Sequence, residues 1–468
     1  MASSEPSSLA LAQEVLGYSM KTLSQEDVDQ LKRLVLDWCG VVAKGTSTPW
    51  GQKLNAWAEA NAGGGKATIA GSGLKRAAAA TALVNGTIAH GYELDDTHDA
   101  SMSHPGAVVI TAAMAVAGQI GAKGEDVLPA IAAGYEVMAR VGMAANALET
   151  LTFGYHPTAT FGVFGAAAAA AHLKKLSAEQ LAMAWGHALS MTSGSLQFSQ
   201  EPLGTMVKRM HAGLPAHNGV LAAELAELGV TAPMKAIEGQ YGFLALYGKN
   251  ARPERLTKAK GEKLEIHGVS IKPYSCCRKF HSLIDALGEA TGGKVDADAI
   301  ESITVLSPIV SIEQHQQRRP DSVMAAQYSM PYIVGATLAY GSTRYDAYDT
   351  AHHKDPKILS IIDKVQPKRE ASFEPHYPEH MGNAVEIKMK DGSVKTASVL
   401  DSRGTPYRPI DVNGIREKAA GLMATVDASL DVAAVEKAVW ALDKAPGVDG
   451  LMSLLVVKSA PRATAAAE

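Results

Sequence analysis

Cysteine is almost missing from this chain: three in 468 residues, at Cys39, Cys276 and Cys277. Three thiols cannot build a disulfide framework, and the adjacent pair lacks the C-x-x-C spacing of a zinc or iron–sulfur site, so a reducing, cytoplasmic setting is expected. An excess of either charge is also lacking. A net charge of -4 with 20% charged residues leaves no basic footprint for nucleic acid and no acidic tail. The opening "MASSEPSSLALAQEV" has no Lys or Arg before Lys21, so it lacks the basic region of a signal peptide. Long apolar runs are short of the mark as well. The Ala-rich "GVFGAAAAAAH" does not reach the roughly 20 residues a membrane span needs, and no span is expected.

What is present is 47% apolar residues, ample for a sizeable core and for two or three domains. Helical periodicity dominates the first half. "SQEDVDQLKRLVLDWCGVVAKG" opens with Ser24 as N-cap and Asp27 three residues on, a capping box with Asp in place of Glu or Gln. Val28, Leu31, Val35, Trp38 and Val42 recur at three- and four-residue steps and Gly45 closes the segment. Further helices are expected near 75–90, 106–119, 126–143, 162–174, 178–192 and 215–228, where high alanine content favours helix and close packing.

The pattern changes near residue 262. "EIHGVSIKPYSCC" reads as strand, "AIESITVLSPIVSI" alternates at Ile303 and Val305, and "NAVEIKMKDGSVKTASVL" reads as a hairpin with a primed turn at Asp391-Gly392. "SLIDALGEATG" and "SVMAAQYSMPYIVGATLAYG" read as helices between them, and the chain is helical again from Asp411. The expected fold is mainly α. A large all-helical domain, residues 1–268 plus 404–468, carries an inserted smaller α+β domain, residues 269–403.

Phosphate-loop chemistry is excluded, because in "NAGGGKAT" Ala67 stands where the loop needs Ser or Thr after Lys66. No Rossmann fingerprint or G-x-S-x-G elbow occurs. His98 and His104, near Asp95 and Asp96, could ligate a metal, but no H-E-x-x-H helix supports them. The chemistry-bearing residues gather instead in five polar islands: "ELDDTHDASMSHP" (93–105), "GYHPTAT" (154–160), "EPLGTMVKRMHAGLPAHNG" (201–219), "IKPYSCCRKFH" (271–281) and "AAQYSMPY" (325–332). The first, preceded by His90, is the densest run of carboxylates and imidazoles.

These islands, in order and spacing over essentially the whole chain, resemble the MmgE/PrpD family. Its members include 2-methylcitrate dehydratase, cis-aconitate decarboxylase and iminodisuccinate epimerase. The resemblance implies a helical domain with an α+β lid, a homodimer, and an interdomain cleft. It also implies catalysis on a small di- or tricarboxylate without metal, nucleotide or cluster. Carried over by motif, His104, His156, Lys272 and Tyr328 are the implied catalytic residues. Glu93, Asp95, Asp96, Thr97, Lys208, Arg209, Cys276, Cys277 and His281 are the implied substrate-binding ones. His211 and His217 are candidates for supporting positions, whereas His352, His353, His376 and His380 read as structural. Two positions depart from the pattern. The first acidic residue, commonly Asp, is Glu93, and Cys277 stands where animal members have histidine.

Chemically, such substrates need cations aimed at their carboxylates, for which Lys208, Arg209 and Lys272 are placed. They also need an acid or base poised near neutrality, for which His104, its pKa raised by Asp95 or Asp96, is the first candidate. The expected reaction is dehydration or decarboxylation. The alternatives are an epimerase that pairs His104 with Lys272 or a Cys276/Cys277 thiol on the opposite face of the carbon, and a non-catalytic carboxylate-binding protein.

Overall fold

Helix periodicity and capping produce the elements that carry the site. The structure is a computed structural model, described for residues 7–457 except 202–204, 260 and 294; three residues of the 201–219 island and most of the N-terminal decapeptide therefore lie outside the described residues. The helix Gln25–Thr46 starts from the capping box, with the Ser24 side chain accepting from Asp27 N and Asp27 accepting from Ser24 N. Ala78–Ala89, Pro105–Ile120, Gly124–Ala144, Pro157–Leu173 and Ala178–Ser190 follow close to their expected bounds. Gly124–Ala144 is long and apolar enough to cross a membrane, unlike the runs weighed in the sequence, but the relevant window is 94% buried inside this fold. It is a core helix that holds Glu136 and Arg140.

Glycine allows the helices to approach backbone to backbone where the site requires it. A Cβ on Gly86 would sit 2.8 Å from Gly213 Cα, and one on Gly213 would sit 2.2 Å from Leu83 O. Ala78–Ala89 and Val207–Glu227 therefore cross in direct backbone contact. That crossing sets the loop after residue 89 beside Lys208 and Arg209. The second helix begins at Val207, not near 215 as expected, and Pro215 lies inside it. A proline reads as a helix start because its missing N–H costs nothing there, but here it is held mid-helix by packing.

Two apolar cores result. The first gathers residues from Leu11 to Ile271 and, after the chain returns, from Ile415 to Leu455. The second gathers Tyr274 to Val399. It is built on a four-stranded sheet in the order Val365–Arg369, Ile300–Ser307, Asn383–Met389, Val394–Val399. The first pair is parallel and the others antiparallel. Ile303 and Val305 face the core as their alternation requires. The helices His281–Thr291 and Met330–Tyr340 contribute to the same core.

Three expectations change. Residues 265–277 are not one strand: a 3₁₀ turn, Glu265–Gly268, precedes the two-residue strand Val269–Ser270, which pairs with Thr97–His98. Beyond it Ile271 N bonds to Gly404 O, and Pro273 has no N–H to extend a ladder. The hairpin turn is not primed, since only Gly392 of the Asp391-Gly392 pair has a positive φ, 85°. Gly392 N bonds to Met389 O and Met389 N to Ser393 O, while Asp391 accepts from Ser393 N. This is a three-residue loop with left-handed glycine. The segment "SVMAAQYSMPYIVGATLAYG" is two helices, Val323–Tyr328 and Met330–Tyr340, separated at Ser329. The glycine-rich "NAGGGKAT" ends in the strand Gly64–Thr68, paired to Lys75–Arg76.

Candidate active site

Two histidines open helices. His104 is the N-cap of Pro105–Ile120 and His156 that of Pro157–Leu173, each with proline at the first helical position and neither capping with its side chain. Proline fixes the backbone entering the helix, so both imidazoles project from rigid supports. His104 is held twice more. Its N–H donates to Thr158 Oγ1 at 3.1 Å, and its ring Nδ1 lies 2.8 Å from the Asp96 carbonyl oxygen and 3.2 Å from Thr97 Oγ1. A carbonyl only accepts, so Nδ1 carries the hydrogen and Nε2 is left to exchange protons.

The expected effect of the acids on this imidazole is corrected by the structure. Burial, then the neighbouring Lys272 cation, push His104 down to about 3 against the opposing pull of Asp95. Asp95 Oδ2 is 3.7 Å from the ring nitrogen, too far to offset the loss of water. The Asp96 carboxylate does not face His104 at all. It accepts from Gly106 N at 2.8 Å and from Tyr135 Oη at 2.6 Å, anchoring the loop to the next helix. Burial raises its pKa to about 7.

Around Glu93 the charges converge. Glu93 is 2% exposed and adopts a left-handed backbone, φ 57°, a conformation that costs a side-chain-bearing residue about 1–2 kcal/mol. That geometry turns its carboxylate into the protein. Oε1 accepts from Lys208 Nζ and, at 2.6 Å, from Arg209 Nη1. Oε2 accepts from Tyr328 Oη at 3.2 Å and lies 3.8 Å from Lys272 Nζ. Lys208 also donates to Tyr328 Oη at 2.6 Å, and Lys272 lies 3.8 Å from Asp95 Oδ1. Burial would raise Glu93, but the three cations outweigh it and hold the carboxyl well below its usual range. Burial lowers Lys208 to about 8 despite Glu93. Three cations thus share two carboxylates in a space closed to water, which leaves a surplus of one positive charge.

The imidazoles form a second group. His90, 1% exposed, places Nδ1 2.6 Å from Asp95 Oδ2. Its ring centroid is 5.2 Å from that of His104 and 5.7 Å from that of His156. His156 in turn meets His211, Nδ1 to Nδ1 at 3.1 Å, so one donates and the other accepts. Phe198 packs edge-on against both rings. Burial lowers all four, His211 to about 4.

The structure therefore brings together Glu93, Asp95, Thr97, His104, His156, Lys208, Arg209, Lys272 and Tyr328 from all five islands. Other residues take different hydrogen-bond partners. His281 Nε2 lies 3.1 Å from the Cys276 carbonyl oxygen and supports that loop, and burial holds its pKa well below the usual value. Cys276 is fully buried, its thiol pushed up by burial, while Cys277 N donates to Gln327 O. His217 lies 3.0 Å from Asn218 Oδ1, outside the cluster. His98 bonds to Ser101 and Glu265, so it does not join His104. Among the described residues no group of three or more His, Cys, Asp and Glu is arranged to hold a metal ion.

Two residues at the centre lay outside the sequence-derived set. His90 precedes the first island and closes an apolar helix, and only its nearness to the island's carboxylates marks it. Gln327 accepts from Arg209 Nη2 at 3.3 Å and donates to Tyr92 O and Ser275 Oγ, tying the three segments together. Its neighbour Tyr328 was the available signal. A cavity of about 10 Å³ lies between Asp37, Trp38, Asp95, Asp96 and Gly106, room for about one water. A wider one of about 280 Å³ opens among Tyr18, Asp27, Lys263 and His267, none of which belongs to the cluster. Its ionisable groups are occupied with one another, His267 with Asp27 at 2.7 Å and Lys263 with Glu26 at 2.9 Å.

Comparison with known proteins agrees with this geometry in extent. The cis-aconitate decarboxylase-like protein oryM of Aspergillus oryzae is 28% identical over 455 residues, covering 92% of each chain. The cis-aconitate decarboxylase of Aspergillus terreus is 26% identical, covering 92% of this chain and 91% of its own. The mouse cis-aconitate decarboxylase is 27% identical, covering 86% and 83%. Residues 9–256 match the MmgE/PrpD N-terminal domain and residues 274–444 the MmgE/PrpD C-terminal domain, so all five islands fall in or beside matched sequence and the chain belongs to the MmgE/PrpD family.

Proposed function

We propose that the protein is a cofactor-independent lyase acting on a small di- or tricarboxylate, with decarboxylation of a cis-aconitate-like acid the favoured reaction and dehydration of a 2-methylcitrate-like acid next to it. The observation that carries this reading is the surplus of cations, Lys208, Arg209 and Lys272 against Glu93 and Asp95, gathered beside His104 in a buried space. A polyanion entering there exchanges its hydration for fixed cations, and buried cations are worth far more to it than solvated ones. The names of the curated relatives support decarboxylation.

Lys208, Arg209 and Lys272 bind the carboxylates in this scheme, and His104 Nε2 works at carbon. As the site stands, His104 is in its base form; a bound polyanion offsets the push of Lys272 and favours the protonated form. In decarboxylation the C–CO2 bond breaks, the electron pair moves into the conjugated carboxylate, and His104 delivers a proton to carbon, which water replaces. In dehydration His104 takes the carbon-bound proton as hydroxide leaves with a proton from Tyr328. Because the site residues are buried, entry requires the second core, bearing Lys272 and Tyr328, to part from the first, as a lid would. A homodimer is proposed as well, on the apolar surface that exposes Phe153 and Leu246, each 57% exposed.

The test is an NMR assay in deuterium oxide with cis-aconitate, 2-methylcitrate and iminodisuccinate offered separately. CO2 loss from the first or hydration change in the second supports the lyase. Deuterium wash-in without net conversion of the third would replace it with the epimerase reading.

A further inference from the structure

At the centre of the site two buried polar atoms have no hydrogen-bond partner in the protein, His90 Nε2 and Asp95 Oδ1, the second of them 3.8 Å from Lys272 Nζ. An unmade hydrogen bond in a buried position is costly, and a buried group left without one calls for an explanation such as a catalytic role or a bound molecule. His90 is oriented, not idle. Burial, which would raise Asp95, is outweighed by His90, His104 and Lys272, which hold it far below its usual range, and an ionised carboxylate only accepts, so Oδ2, 2.6 Å from Nδ1, is the acceptor. Nδ1 therefore carries the hydrogen and Nε2 is the working nitrogen, as in His104.

The two imidazoles differ in what backs them. His104 is backed by a neutral carbonyl, Asp96 O at 2.8 Å, and His90 by a carboxylate. A carboxylate stabilises an imidazolium more than a carbonyl does, so of the two His90 is the better holder of a proton and His104 the better acceptor. Their ring centroids are 5.2 Å apart at 52°, close enough to address neighbouring atoms of one small molecule.

We propose that His90, oriented by Asp95, is a second proton-transfer residue that works at the oxygen atoms of the same polycarboxylate whose carbon His104 addresses. The proposal rests on the lyase reading. As the polyanion binds, its charge favours protonation of His90, which takes a proton from water at Nε2. In dehydration that Nε2–H bond breaks as an O–H bond forms on the departing hydroxyl, which leaves as water. His104 takes the proton from carbon, and the C–H pair becomes the new C=C bond. In decarboxylation His90 protonates the carboxylate oxygen that gathers the electron pair from the C–CO2 bond. That proton returns to His90 once His104 has protonated carbon, so one proton is consumed overall. This assigns the second acid/base position to His90 in place of Lys272 or a Cys276/Cys277 thiol, and the proton for the leaving hydroxyl to His90 in place of Tyr328. Facing His90 are Asp95, Glu93, Lys208, His104 and His156.

His90→Gln should lower kcat by about 10²-fold or more while KM moves by less than about threefold. The high-pH limb of the kcat profile, where the acid is lost, should vanish. Asp95→Asn, which keeps size and removes the charge, should lower kcat about 10- to 100-fold and shift that limb to lower pH. A His90→Gln variant with kcat within about threefold of wild type, or one with lower kcat but an unchanged pH profile, overturns the proposal in favour of a structural residue.

A measurement without turnover guards against a misfolded variant. In ¹⁵N-histidine NMR spectra of the wild-type protein, His90 should show an Nδ1–H tautomer whose Nε2 resonance shifts when citrate is added. A His90 signal indifferent to citrate while His104 responds also overturns it. If the wild-type enzyme converts none of the three acids, the lyase reading fails, and the citrate titration still decides whether His90 addresses the bound polyanion.

Discussion

Two ionic clusters are buried against the same helical core, and they are built differently. In the first, Arg140 on Gly124–Ala144 donates to Glu14 at 2.7 and 2.9 Å and to Glu136 at 3.5 Å, while Lys258 approaches Glu136 at 3.4 Å. Two cations face two carboxylates there, and the group ties the helix Ser8–Leu16 and the 256–258 segment to the core. The second, around Glu93, sets three cations against two carboxylates and adds four imidazoles; buried atoms without a hydrogen bond occur in both, Arg140 Nε in the first and His90 Nε2 and Asp95 Oδ1 in the second. Burial is shared by both, since Glu136 is 0% and Glu93 2% exposed. On the proposed reading, charge balance is what separates a cross-link of the fold from a place prepared for an anion.

The sharpest break of that comparison is at His104. His104→Ala should lower kcat by roughly 10²–10⁴, the range for a general acid–base group, with KM moving far less because the cations remain. Steady-state kinetics on the substrate identified by NMR checks it, and wild-type turnover would reduce the first island to a structural knot.

Next comes a paired substitution. Arg140→Met leaves Glu14 and Glu136 without their guanidinium and should cost about 3–5 kcal/mol of stability, as removal of one partner from a buried ion pair does, with activity per folded molecule kept. Lys272→Met removes a surplus charge and should change stability by less than about 1 kcal/mol while raising KM strongly. Denaturant unfolding and kinetics on both variants separate the clusters. Equal destabilisation by the two would show that charge balance does not distinguish them.

A smaller effect lies in pH. Burial keeps His104 and His211 neutral down to about 3 and about 4, whereas in the unfolded chain both charge below about 6.5. The unfolded state therefore binds more protons over that window, and stability falls as pH drops from about 6.5. Asp96, raised to about 7, acts oppositely, since the folded state holds its proton above the unfolded pKa and stability falls as pH rises towards 7. His104→Ala should recover about 1–2 kcal/mol of the loss between pH 7 and pH 5. Unfolding curves at the two pH values test this.

The smallest change is expected at Cys277, 8% exposed and tied in through its backbone N–H to Gln327 O. Cys277→Ala should leave kcat within about threefold. A large loss would bring the thiol into the chemistry and revive a thiol-based second position.

Legibility in the sequence followed the range of the interactions. The helices of the first core were readable because alanine-rich periodicity and Ser24–Asp27 capping act within a few residues. The strand Val365–Arg369 was not, because "VQPKR" is polar and carries Pro367 at a sheet edge, and only its parallel partner Ile300–Ser307 makes it a strand. His90 was overlooked for a related reason. At the end of an apolar helix nothing local marks it, and its role depends on Asp95 turning back to meet it.

By itself the sequence determined the helices, the two His-Pro entries at His104 and His156, and the polar islands, because backbone propensity, capping and proline geometry are decided by near neighbours. Only the tertiary structure decided which charges meet. Lys208 reaches Glu93 across 115 residues, Lys272 arrives from the chain that leads into the second core, and Asp96 turns to Tyr135 instead of to His104. These pairings depend on two helices crossing at Gly86 and Gly213 with no side chain between them, and a contact set by the fit of distant surfaces has no period that a sequence can display.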